Sequence, residues 1–377
     1  MLKLRRATVV EAHRARGPEQ NLVVLLAGGE RREAIADVSL LGASVVGDDL
    51  IVNVQARDLG LGSGGFDIVH VNLTRGLAAE GTPGAHVMKL NYTSMQHAVS
   101  PVENEQAGAG EQLDLPLKRP VGVLALHGQL AAVAWAFAQV SPEGRLGFVQ
   151  TPGGALAGGH SRVVRALRER GLLAGHLTAG SSFGGGGEAV STAGALYYGM
   201  RTLGWDAAVC GPGPGIVGSS SPLGHGGMYA LDSAHTALSL GAPTLLVARM
   251  SSADGRPRHR GISHHTLTVL DLLLEPVTVA LPAGIRSPVG ADLRAGLGSV
   301  FAGSTQRGRP RLELEVDRPA RMAHHDWRRA PVDMPGYLAS GLPAQTMGRV
   351  LIEDPLFFGA ALAGGSVLAD LCGPSES

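Results

Sequence analysis

Residues 121–150 read Val-Gly-Val-Leu-Ala-Leu-His-Gly-Gln-Leu-Ala-Ala-Val-Ala-Trp-Ala-Phe-Ala-Gln-Val-Ser-Pro-Glu-Gly-Arg-Leu-Gly-Phe-Val-Gln. Val121–Leu126 is a short, continuous apolar run, as a strand covered on both faces should be. Gln129–Gln139 is long enough for three helical turns. Leu146–Gln150 is a second short apolar run. Strand, helix, strand with small or polar residues at each junction is the unit from which parallel sheets are built.

Downstream the unit repeats. Ser161–Arg170 reads as a helix, His176–Ala179 as a weak strand and Glu188–Leu203 as a helix. Asp206–Cys210 is a strand, Met228–Leu240 a helix, Pro243–Arg249 a strand, His265–Leu273 a short helix and Val277–Leu281 a strand. Residues 119–377 are therefore expected to form an α/β domain with a Rossmann-like, doubly wound parallel sheet. Its C-terminal extension is expected to be helical over Ser340–Ile352 and Pro355–Leu371. Arg311–Val316 alternates like a strand. His324–Arg329 is read as an exposed loop, and Cys210 as a core residue.

Upstream the rhythm differs. Thr8–Ala12, Asn21–Ala27, Leu50–Ala56 and Phe66–Leu73 are short Val-, Leu- and Ile-rich runs separated by Gly, Asp and Asn. Residues 1–97 are expected to form a small β-barrel-like domain. Residues 98–118, polar with Pro and Gly, read as a linker. Gly60-Leu-Gly-Ser-Gly-Gly65 satisfies G-x-G-x-x-G, but a strand-like segment follows it. A dinucleotide needs a helix N-terminus there, so the motif is read as a hairpin loop.

Totals narrow the partners. The 377 residues are 44% hydrophobic and 17% charged, with a formal net charge of zero. No overall charge favours nucleic acid, and no stretch is long and apolar enough to cross a bilayer. Two cysteines without metal-type spacing and no secretory leader point to a cytoplasmic protein. Abundant small apolar residues are compatible with a homodimer. Only Lys3, Lys89 and Lys118 are lysines. Arginine carries the remaining positive charge, either as guanidinium forks for anions or through compositional bias.

In an open parallel sheet, ligands lie beyond the carboxyl ends of the strands. That edge is expected to carry His127 and Gln129, then Gly153, Gly154 and Arg162, then Ser181, Ser182 and Glu188. Gly213, Gly215, Ser219 and His225 come next, and last comes the polar stretch 249–266, Arg-Met-Ser-Ser-Ala-Asp-Gly-Arg-Pro-Arg-His-Arg-Gly-Ile-Ser-His-His-Thr. The glycine-rich loops are either backbone cradles for an anion or tight turns. His264 and His265 open a helix whose dipole would keep an imidazole neutral and fit for acid/base work.

His259, His264, His265 and Glu188 are the candidate catalytic groups. His127, Arg162, Gly153, Gly154, Gly213, Gly215, Ser219, Arg258, Arg260 and Ser263 are the candidate substrate contacts. Spacing of the form H-x4-H-H, with Asp254 nearby, is not a recognised metal frame. No metal is assigned, and the cofactor stays open. The competing reading is that one histidine caps, another packs and the arginines face water. Gly180-Ser-Ser-Phe-Gly184 fits G-x-S-x-G, but Gly185–Gly187 delay the helix that would make Ser182 a nucleophile.

Leu59-Gly-Leu-Gly-Ser-Gly-Gly-Phe-Asp, His86-Val-Met-Lys-Leu-Asn-Tyr-Thr, Arg258-His-Arg-Gly-Ile-Ser-His-His-Thr and Thr346-Met-Gly-Arg together resemble an uncharacterised bacterial family found in actinobacteria and their Gram-positive relatives. The resemblance implies no established activity. The family's usual motif has a histidine and an acid in the 178–188 loop, where this chain has Ser181, Ser182 and Gly187. An enzyme acting on a small anionic substrate is the first functional expectation. A non-catalytic ligand-binding, regulatory or scaffold protein is the alternative.

Overall fold

The structure, a computed structural model, describes residues 1–61, 65–78, 80–106, 112–219, 221–287, 312–314 and 317–373. It comprises two compact units, Met1–Ser100 and Pro101–Ser377.

The first unit is a closed barrel of β1 (Leu4–Ala12), β2 (Glu19–Leu26), β3 (Arg31–Asp37), β4 (Asp49–Asn53) and β5 (Asp67–Asn72), ordered β1-β2-β3-β5-β4. Alternate residues of β2 point inward, so Leu22, Val24 and Leu26 meet Val9, Leu50, Val52 and Val69 in one core. Strand β3 escapes a pattern-based reading. Arg31-Arg-Glu is largely solvent-facing, and only Ala34-Ile35-Ala36 enters the interior. The middle of Gly60–Gly65 lies outside the described residues. The next element after it is strand β5, not a helix.

The second unit holds eight parallel strands: β6 (Val121–Leu124), β7 (Leu146–Thr151), β8 (Gly175–Ala179), β9 (Gly187–Ala189), β10 (Ala207–Pro212), β11 (Thr244–Val247), β12 (Thr278–Ala283) and β13 (Asp326–Pro331). Their order is β9-β8-β7-β10-β6-β11-β12-β13. The chain starts in the middle at β6, runs outward to β9, returns to β10 and then builds the other half. This α/β, Rossmann-like architecture places the ends of β10, β6 and β11 side by side.

Helices α1 (Leu130–Val140), α2 (Arg162–Glu169), α3 (Thr192–Arg201), α4 (Tyr229–Ser239), α5 (His264–Leu272), α6 (Met334–Ala339) and α7 (Pro355–Asp370) complete the unit. Almost all of α7 is buried. It approaches α1 so closely that a Cβ on Gly365 would lie 2.2 Å from the Val133 carbonyl oxygen, and its Leu368 covers Gly122 of β6. The C-terminal helix is thus part of the core. Trp205, fully buried, lies on a floor of Gly147, Gly175 and Gly199, where any Cβ would collide with its ring. Cys210 is buried in β10.

Several expectations are corrected. Glu188 lies in β9, not at a helix start. Residues 340–352 are not helical: Gln345–Thr346 and Arg349–Val350 form a two-residue antiparallel ribbon. Residues 326–329 belong to edge strand β13 and His325 is buried, so this segment is not an exposed loop. Val102–Gln106, within the expected linker of residues 98–118, belongs to the second unit, where Glu103 accepts hydrogen bonds from the backbone N–H groups of Val190 and Ser191. Of the 311–316 strand, Leu312–Leu314 is described, paired with Ile285–Ser287. Among the described residues, no helix is long and apolar enough to cross a membrane.

Candidate functional site

The loops that leave β10 and β11 converge. The first folds back on itself, with Gly218 bridged to His225. The second passes through Met250–Ser251, which pairs antiparallel with Gly261–Ile262. A turn of 3-10 helix, Pro257–His259, lies between them. Ser263 then caps α5, its hydroxyl accepting from the His265 N–H. The cap fixes where α5 begins, and so sets His264 and His265 in its first turn.

Four imidazoles meet there. His225 stacks on His265 with ring centroids 3.5 Å apart and planes 13° off parallel. His264 lies 4.3 Å from His265, and His259 lies 4.8 Å from both His264 and His265. Ser263 Oγ and His259 Nδ1 are hydrogen-bonded at 2.8 Å. His264 Nε2 is enclosed with no partner, and neither ring nitrogen of His225 has a well-aligned one. Three of the four offer nitrogens that lie within 4.8 Å of one another: His259, His264 and His265.

Arginines surround the rings. Arg249 is buried, and its guanidinium donates to His265 Nδ1 at 2.8 Å and to Met347 Sδ at 3.5 Å. Burial lowers its pKa to about 10, although Asp254 favours the charge. Arg256 grips Asp254 with Nε and Nη2, each 3.0 Å from a carboxylate oxygen. Arg349 bridges Asp254 and Asp354. Fully buried Asp354 also accepts from the Ser251 hydroxyl at 2.6 Å and the Ser252 N–H at 2.8 Å. Segment 345–354 is thereby tied to the histidine loop, and Thr346 covers Gly128 at the end of β6.

This environment keeps the imidazoles neutral. Burial, then the charge of Arg249, pushes His259 down to about 3 and His265 down as strongly. Burial lowers His225 and His264 too, with His264 opposing protonation of His225 and Arg258 that of His264. Asp254 stays ionised against its own burial, because Arg256 bonds to it and lowers its pKa.

The remaining candidates fall elsewhere on the edge. His127 is buried and shares a 2.8 Å hydrogen bond with Ser161, the N-cap of α2. Its ring and that of His176 both face Phe148. Burial lowers His127 to about 4 and His176 to about 3. Gly153, Gly154 and Gly213 are closely packed: a Cβ on Gly154 would sit 2.2 Å from the Gly213 oxygen, and one on Gly153 2.6 Å from that of Gly226. Gly215 has a positive φ and more room. Ser219 is exposed in the 218–225 turn. Arg162 is exposed at the start of α2.

Arg258 is exposed beside His259, and Arg260 donates through Nε to the Asp254 backbone oxygen. Glu188 accepts from the Gly184 N–H and the Thr178 hydroxyl, each at 2.7 Å, and so braces the 180–187 loop. Ser182 is buried, and strand β9 rather than a helix comes after it.

The sequence names no individual role for His225, Arg249 or Asp254 and gives no sign of Arg349 or Asp354. His225 and the 249–266 loop were placed on the correct edge. The carboxylate at 354 and the arginine at 349 carry no local signal, since long-range folding alone brings them there.

The family model described as "Protein of unknown function (DUF3866)" matches residues 33–365, and the chain belongs to that family. The matched span contains every residue of the histidine cluster and its carboxylate frame. No curated protein and no solved structure matches the chain closely enough to lend it a function.

Proposed function

We propose that this protein is an enzyme acting on a small anionic molecule at the carboxyl edge of its parallel sheet, with the histidine cluster as acid/base centre. One observation carries the reading. Four imidazoles held neutral crowd together beside arginine, and the enclosed Nε2 of His264 has no protein partner. Each unsatisfied buried polar atom costs about 1–3 kcal/mol. A ligand that supplied partners would recover that cost, and perturbed titratable groups concentrate at functional sites.

An anion fits the charge. Arg249, Arg256, Arg258 and Arg349 oppose protonation of the rings or stand beside them, and Asp254 and Asp354 only partly offset them. A bound anion would weaken the arginine field and raise the pKa of the rings it touches. His264, half-buried with Nε2 unpartnered, would then take and return the proton. Arg258 and Arg260, with Arg162 across the edge, are the proposed anion contacts. A cytoplasmic setting and a homodimer belong to the same proposal.

Thermal unfolding of the wild type and His264→Ala against phosphate, sugar phosphates and small carboxylates tests it. A ligand at 100 times its Kd adds about 2.7 kcal/mol of stability. The expected result is a shift in the wild type that His264→Ala loses. Affinity should rise from pH 8 to pH 6, because binding takes up a proton. No shift with any anion would sink the reading. A shift without turnover of any ligand would leave a binding protein instead.

A further inference from the structure

We propose that His259, His264 and His265 together hold one transition-metal ion of the zinc class. The proposal rests on the anion site of the functional reading above and deepens it: the ion would act on the anion, and His264 Nε2 would serve as its ligand in place of an acid/base role.

Geometry carries the argument. The three ligating nitrogens lie within 4.8 Å of one another. Tetrahedral zinc with Zn–N of about 2.0–2.1 Å needs nitrogens about 3.4 Å apart. Closure on the order of 1 Å therefore suffices, within reach of side-chain rotation. His259 is already oriented as a ligand, because its Nδ1 is engaged by Ser263 and its Nε2 is left for an ion. A ligating ring usually has its other nitrogen held in this way. His264 presents an enclosed Nε2 with no partner.

The donor set selects the metal. Three imidazoles without a carboxylate or thiolate suit zinc, cobalt, nickel or copper, and do not suit magnesium or calcium. Asp254 is not part of the triad and is instead the counter-charge of the surrounding guanidiniums of Arg249, Arg256 and Arg349. Three protein ligands leave a fourth position for water or an oxygen of the anion, as in catalytic rather than structural zinc sites.

Arg249 is the group that must yield. It donates to His265 Nδ1, so the neutral ring carries its proton on Nε2. When the guanidinium gives up that bond, the Nδ1 lone pair becomes available to an ion, with no change in protons. Asp254, 3.6 Å from Arg249, is the acceptor that receives the guanidinium. His225, stacked on His265, lies outside the ligand triad.

The test uses the full chain, stripped with chelator and titrated with Zn2+ by calorimetry and with Co2+ by visible absorption. One ion per chain is expected, with a tetrahedral Co2+ spectrum. His264→Ala and His259→Ala should each weaken Zn2+ binding by more than about 100-fold. His176→Phe, a buried ring against Phe148 and outside the cluster, should bind within about threefold of the wild type. Thermal melts of each variant separate loss of the site from loss of the fold. If the wild type fails to bind Zn2+, Co2+ or Ni2+ at micromolar concentration, the proposal is overturned. If it then still responds to phosphate or carboxylate, the functional reading survives alone. Equal binding by wild type and a folded His264→Ala would also overturn it.

Discussion

Two groups of histidines are buried in the same parallel-sheet unit, and the protein surrounds them differently. His127 and His176 face the phenyl ring of Phe148, and His127 has a serine hydroxyl for a partner. His225, His259, His264 and His265 face one another and the Arg249 guanidinium. Both groups are held neutral, the first mainly by burial and the second by burial with added positive charge. An imidazole against an apolar ring fills a core, even where one nitrogen is enclosed without a well-aligned partner, as His127 Nδ1 and His176 Nε2 are. Crowding four imidazoles beside a guanidinium completes nothing by itself, since a core gains little from such neighbours. Depressed pKa values therefore do not separate structure from function here. The character of the neighbours does.

Acid should expose what the groups share. A histidine with a folded pKa below its unfolded value of about 6.5 stays unprotonated while the unfolded chain takes up protons. Its contribution is fully present above pH 6.5 and is lost as pH falls toward the folded value. His127, at about 4, and His176 and His259, at about 3, are all deeply buried. Each gives a slope of about 1.4 kcal/mol per pH unit, so the three together approach about 4 kcal/mol per unit between pH 5.5 and 4. Denaturant midpoints at pH 7.5, 5.5, 4.75 and 4.0 measure the slope. His176→Phe should remove about a third of it, and an unchanged slope would show that His176 is not held neutral.

The second expected effect belongs to the loop cluster alone. Asp354 accepts from Ser251, Ser252 and Arg349, and is the carboxylate that fastens segment 345–354 over the histidine loop. Asp354→Asn keeps the shape and leaves Arg349 with half its compensation. Breaking a buried pair in this way costs about 3–5 kcal/mol, and screening at the part-exposed Arg349 favours the lower figure. Urea unfolding at pH 7 should show a loss of about 3 kcal/mol. A loss below about 1 kcal/mol would mean that the segment is held by packing of α7 instead.

How far the sequence foretold this division depends on the range of the signal. Strands β6, β7, β10 and β11 are legible because each is a short apolar run, and the edge they share follows from a parallel sheet. Strand β3 was not legible, since Arg31-Arg-Glu looks like a surface turn until its inner half is seen to close the barrel. Glu188 looked like a helix start because Ala189 and the α3 residues continue an apolar pattern, yet Gly187–Ala189 pairs with β8. Ribbon 345–350 was misread as helical because its small and apolar residues mimic that period. Its register depends on Met347 and Gly348, both at positive φ. The loop histidines were legible as a group because three stand within seven residues. Their fourth member, His225, and the Arg349–Asp354 pair arrive from about 40 and 90 residues away, where no local pattern reaches.

The smallest effects on stability should divide the two groups most sharply. His127→Ala removes a buried ring, breaks its hydrogen bond to Ser161 and opens a void beside Phe148. It should cost about 2 kcal/mol and leave the response to anions and Zn2+ intact. His264→Ala deletes a half-buried ring whose Nε2 has no partner, so its removal ends one unsatisfied group as well as some contacts. It should change stability by less than about 1 kcal/mol and abolish both ligand responses. Thermal melts of the two variants, with and without phosphate and Zn2+, measure both quantities in one experiment. The reverse pattern, a costly His264→Ala that still responds and a cheap His127→Ala that does not, would move the chemistry from the β11 loop to the end of β6. Equal cost with unaltered responses in both would make the four-ring cluster a packing arrangement. The difference in neighbours between the two groups would then carry no functional meaning.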